Sequence, residues 1–64
     1  MKAGDKVKLV KSVGFYQAGS SGIITSMASV NIANVSLDRD ASGTIISPPD
    51  PIPPQHVDHF MVIG

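Results

Sequence analysis

Asn31-Ile32-Ala33-Asn34-Val35-Ser36-Leu37-Asp38 decides how the rest of this chain is read. Ala33, Val35 and Leu37 fall on one side of an extended backbone, and Asn34, Ser36 and Asp38 fall on the other. A two-residue rhythm of this kind marks a strand with one buried face. Upstream, Gly22-Ile23-Ile24-Thr25-Ser26-Met27 is apolar and β-branched enough for a preceding strand. The glycine ahead of it suits a positive φ or a close approach of backbones. Further upstream, Lys6-Val7-Lys8-Leu9-Val10 alternates again, so Val7 and Leu9 point inward while Lys6 and Lys8 point outward. Residues 12–21, with Gly14, Gly19 and the aromatic pair Phe15-Tyr16, form a long loop rather than a tight hairpin.

Downstream, Asp38 to Gly43 is a polar turn, and Thr44-Ile45-Ile46-Ser47 is a short fourth strand. Five prolines then crowd into Pro48-Pro49-Asp50-Pro51-Ile52-Pro53-Pro54. Each removes a backbone donor, so this tract is extended and peripheral. Pro54-Gln55-His56-Val57 is expected to close one 3-10 turn before Phe60-Met61-Val62-Ile63 supplies the fifth and last strand. No stretch of ten residues keeps an unbroken helical period, so the expected fold class is all-β, a single domain over residues 1–64. A five-stranded sheet of this size buries itself best by curling into a small barrel. The inward set is then Val7, Leu9, Ile24, Val35, Leu37, Ile45, Val57, Phe60 and Val62, with Met27 filling gaps.

Composition narrows the function classes. The 64 residues are 42% hydrophobic and 16% charged, as in a folded globule rather than a disordered tail. Without cysteine, neither disulfides nor a thiolate metal site can reinforce the fold. Five Lys and Arg balance five Asp, which removes any bulk attraction to nucleic acid or anionic membrane. No apolar run is long enough to span a bilayer or serve as a secretory signal, so the expectation is a soluble, cytoplasmic chain, at most peripheral to a membrane complex.

Three segments carry a resemblance: Gly4-Asp5-Lys6-Val7-Lys8-Leu9, Gly19-Ser20-Ser21-Gly22-Ile23-Ile24 and Asn34-Val35-Ser36-Leu37-Asp38, followed by a late turn into a final apolar strand. Together they resemble the SH3-like barrel, with a short 3-10 turn before the last strand. Within that fold the chain is similar to small photosynthetic barrels: photosystem I reaction-centre subunit IV, the variable chain of ferredoxin-thioredoxin reductase, and the ferredoxin-docking subunit of the photosynthetic NDH complex. That likeness implies a non-catalytic interaction module or accessory subunit of a photosynthetic or ferredoxin-linked complex. The same glycine spacing also resembles the KOW motif of ribosomal and transcription proteins, which implies RNA binding. Residues 12–21 contain no charge, whereas KOW-type RNA binders carry Lys or Arg in that loop.

Residues 1–32 hold four Lys and one Asp, net +3, and residues 33–64 hold one Arg and four Asp, net −3. Lys6 and Lys8 share a strand face, and with Lys11 they form a basic strip that fits an acidic protein partner. The plainer alternative is a solvated face whose lysines discourage edge pairing. Phe15 and Tyr16 either offer an exposed contact surface or fold as a lid over one end of the core. The partner-binding set is therefore Lys6, Lys8, Lys11, Phe15 and Tyr16. Residues 48–54 have the spacing of a polyproline ligand, although a stiff connector explains them as well. His56, Asp58 and His59 form a cluster of possible ligand types, which a turn surface also accounts for. Glutamate is absent and no nucleophile-base order appears, so no enzyme, cofactor or metal is expected.

Overall fold

The computed structural model describes Met1–Gly64, and every regular element but one short turn is a strand. The strands are β1 (Lys6–Leu9), β2 (Ser21–Ser29), β3 (Ile32–Arg39), β4 (Ile45–Pro51), β5 (Gln55–His56) and β6 (Phe60–Val62). A 3-10 turn, Val57–His59, stands between β5 and β6. All pairings are antiparallel, in the order β4-β3-β2-β1-β6, with β5 also beside β3. The all-β expectation holds, but the strands number six rather than five, and the hydrogen-bonded order is open at β4 and β6.

The additional strand, β5, follows the proline tract, in the stretch expected to form the 3-10 turn. β4 runs through Pro48, Pro49 and Pro51 instead of stopping at Ser47, because it lies on the edge of the sheet. At an edge, and beside the register shift between Leu37 and Arg39, a missing donor costs less than it would in a central strand. The Ile52 N–H donates to the Val35 carbonyl at 3.0 Å, and β5 then pairs Gln55 with Ala33 and His56 with Ile32. Residues 45–56 thus follow β3 along most of its length. That pairing keeps Gln55 and His56 extended, so the 3-10 turn falls at Val57–His59 and not at 54–57. His56 caps it, its Nδ1 accepting from the Asp58 N–H at 3.3 Å.

The core is Val7, Leu9, Ile24, Ala33, Val35, Leu37, Ile52 and Phe60, with Val13, Tyr16, Met27, Ile46 and Val57 packed against it. Alternation places the residues of β1, β2 and β3 as expected. Two expectations fail. Ile45 is 65% exposed and Val62 is 46% exposed. A register shift between Leu37 and Arg39 sets the phase of β4 so that Ile46, not Ile45, packs inward. Val62 opposes Val7 at the end of the sheet, beyond the residues that cover Phe60. Ile52, from the proline tract, occupies the core instead.

Gly22 decides how closely β2 and β3 approach. A Cβ built there meets the Ser36 carbonyl oxygen at 2.1 Å and the Leu37 Cα at 2.7 Å, so no larger residue fits without parting the strands. Register shifts between Ser21 and Gly22, between Ile24 and Ser26, and between Met27 and Ser29 bend β2 around the core. Ser20, fully buried in the loop before β2, donates from its hydroxyl to the Gln17 carbonyl at 2.9 Å.

Candidate functional site

The long first loop contains a small reverse turn that divides the aromatic pair. Val13 and Tyr16 exchange backbone hydrogen bonds of 2.8 and 2.9 Å around Gly14 and Phe15. Gly14 has φ +56° at the first central position, where a two-residue turn favours glycine. Adjacent residues therefore face opposite ways. Tyr16 packs on the core, and Phe15 stands fully exposed. The two sequence alternatives are each realised, one by each ring.

Tyr16 is held by Asp50 of β4, to which its hydroxyl donates. That bond raises the phenol pKa above 10.0, with smaller contributions from desolvation and from the nearby charges of Asp50 and Asp40. The two carboxylates lie on either side of the aromatic ridge. A groove of about 400 Å³ runs between Val13–Tyr16 and Asp50–Pro53, with Gln55 at its end. A second depression, of about 210 Å³, lies between Phe15–Gln17 with Ser20 and the turn Asp40–Ser42. Asp40 shapes that turn by accepting at Oδ1 from the Ser42 hydroxyl at 2.7 Å and from the Ser42 and Thr44 N–H groups at 3.0 Å. These bonds, that of the Ser42 hydroxyl foremost, hold its carboxyl below the usual range.

The lysines stand apart from this ridge. Lys6 and Lys8 are exposed on the outer face of β1, opposite Ile23 of β2 and Met61 of β6 respectively. Lys11 is paired with Asp58, Nζ to Oδ2 at 3.3 Å. None of the three lines either depression. The fold thus brings Phe15 and Tyr16 together with Asp40, Asp50, Pro51 and Pro53, which the partner-binding set omitted. The signal for them was the aspartate placed among the prolines, but nothing local shows which loop such a segment will meet.

The His56-Asp58-His59 cluster builds the turn before β6. Both imidazole Nδ1 atoms lie 3.1 Å from Asp58 Oδ1. The Asp58 carboxyl is held below its ordinary pKa, chiefly by the hydrogen bond from Lys11, with His56 adding to the effect. The arrangement ties β1 to the turn, where the Val10 N–H also donates to the His59 carbonyl at 2.8 Å.

Comparison with protein families, curated proteins and solved structures finds no match for this chain. No helix is long and apolar enough to cross a membrane.

Proposed function

We propose that this chain is a non-catalytic protein-protein interaction module with an SH3-like barrel architecture. The strand order, the long first loop and the 3-10 turn ahead of the last strand support the architectural part of that reading. One observation carries the functional part. Phe15 is fully exposed on a structured turn, directly above an apolar groove walled by Tyr16, Pro51, Ile52 and Pro53. An exposed aromatic on a rigid base supplies contact area at little entropic cost. Lys6 and Lys8, which form no ion pair within the chain, steer an acidic partner toward β1 while the ridge makes the desolvated contact. The photosynthetic barrels that the sequence resembles make a ferredoxin-linked complex the setting of this proposal.

The test is partner retention. Proteins held by the immobilised wild-type chain should be lost with Phe15→Ala, and their capture should weaken with salt and with the double change Lys6→Asp, Lys8→Asp. Equal retention by both variants overturns the assignment. A gel shift with single-stranded RNA at physiological salt separates the KOW-like alternative, because affinity in the micromolar range would favour RNA as the ligand.

A further inference from the structure

The ridge that carries Phe15 and Tyr16 has a one-sided chemistry. Phe15 borders both depressions, and each holds one carboxylate and no lysine or arginine: Asp50 in the groove of about 400 Å³, Asp40 in the one of about 210 Å³. Neither carboxylate is neutralised within the chain, since Asp58 is the only aspartate in an ion pair. Arg39, next to Asp40 in sequence, donates to the Gly43 carbonyl at 3.1 Å instead. Both charges reach the Tyr16 hydroxyl, where they help to raise its pKa.

Internal hydrogen bonds orient these groups and leave acceptors over. Asp50 accepts from Tyr16 at Oδ2, and Asp40 accepts from Ser42 and Thr44 at Oδ1. Asp50 Oδ1 and Asp40 Oδ2 therefore have no donor in the chain, and neither residue is buried. The side-chain donors, by contrast, are engaged. The Tyr16 hydroxyl donates to Asp50, that of Ser20 to the Gln17 carbonyl, that of Ser42 to Asp40, and the Gln55 amide to the Pro53 carbonyl at 3.0 Å. Of the lining side chains that carry a donor, only Gln17 leaves it free. Pro51 and Pro53 have no N–H to offer. Free acceptors, uncompensated negative charge and an exposed ring are complementary to a positively charged group that is all donor.

We propose that this ridge receives an arginine side chain of a partner protein, its guanidinium stacked on Phe15 and its N–H groups directed to Asp50. The inference rests on the ridge being the contact surface, and it names the side chain that this surface takes. The methylene stem lies along Pro51 and Pro53, the apolar wall of the larger groove. Asp40 adds negative charge from the other side of the ring. Arginine suits the site better than lysine, because a planar guanidinium stacks on an aromatic face and presents five donors and no acceptor. Lys6 and Lys8 line neither depression, so the acidic surface steered to β1 and the arginine on the ridge are separate parts of the partner.

Retention of the full chain on resin-bound random hexapeptide libraries tests this. The libraries differ in one fixed residue: arginine, citrulline (nearly the same shape without the charge), lysine or glutamate. Arginine should outbind citrulline about tenfold and lysine about threefold. Asp50→Asn should reduce the preference over citrulline to about twofold, and Asp40→Asn should lower it about twofold. Asparagine keeps an oxygen for the Tyr16 hydroxyl or for the turn at Ser42 and Thr44, so the internal bonds survive. Asp38→Asn changes the net charge equally but lines neither depression, and should leave the preference unchanged. Should Asp50→Asn fail to fold, Phe15→Ala decides, since loss of the ring should remove the preference for arginine over lysine. Equal retention by arginine and citrulline overturns the proposal, as does the absence of binding to any library or an Asp38→Asn effect as large as that of Asp50→Asn. If the arginine preference is absent while proteins captured by the wild-type chain are still lost with Phe15→Ala, the ridge stands as the contact surface and its arginine specificity is wrong.

Discussion

Gly22 shows how one side chain sets a strand spacing. Its absent Cβ lets the Ser36 carbonyl come within a distance that no substituted residue tolerates. Gly22→Ala is expected to lower stability by about 3 kcal/mol, the upper range for overpacking, as a drop in the urea midpoint. Tyr16 gives a second test at this scale, because it is the single tyrosine and tryptophan is absent, so absorbance near 295 nm follows one phenol. Its folded pKa lies above the unfolded value of 10.0, chiefly through the bond to Asp50. The neutral phenol is therefore favoured in the fold, and its contribution is present below pH 10 and lost as pH rises through the folded pKa. Asp50→Asn should bring the titration midpoint back toward 10. A midpoint unchanged by that substitution would show that Asp50 does not govern Tyr16.

Strand phase is decided one scale higher. Ile45 and Ile46 are adjacent and chemically identical, and one β-strand cannot turn both inward. The register shift opposite Leu37 and Arg39 selects Ile46. Ile45→Ala is accordingly expected to change stability by less than about 0.5 kcal/mol, whereas Ile52→Ala should cost about 2 to 4 kcal/mol by leaving a cavity in the core. Thermal melts of the two variants side by side check this. The same scale governs the turn before β6. The Asp58 carboxyl is depressed below 3.8, mainly by Lys11, so its stabilising contribution is present above that pH and is lost as pH falls through the lower folded value. Lys11→Met should move the Asp58 titration upward in an NMR carboxylate series, and added salt should shrink the difference, since the pair is exposed.

At the scale of the whole molecule, the residues that hold the fold and the residues offered to a partner are separate. Val7, Leu9, Ile24, Val35 and Leu37 are almost wholly removed from solvent, and Phe15 touches none of that economy of space. Phe15→Ala should therefore leave the melting temperature within the shift that about 0.5 kcal/mol produces, while Leu9→Ala should lower it steeply. Alternation made the inner faces of β1, β2 and β3 legible, because side chains in an extended backbone must point alternately to two sides. Glycine and proline marked the loops and the peripheral tract, because each restricts or frees the backbone locally. Lys6 and Lys8 were likewise placed outward by local geometry alone. The rest depended on encounters between residues distant along the chain. A local turn at Gly14 parts Phe15 from Tyr16, but the partner of the Tyr16 hydroxyl, Asp50, arrives from 34 positions away. The entry of Ile52 into the core and the formation of β5 required β3 to be present as a template. Backbone sterics act within a few residues and are written in the order of amino acids, whereas register, edge and groove are properties of two segments at once and exist only after the chain has folded.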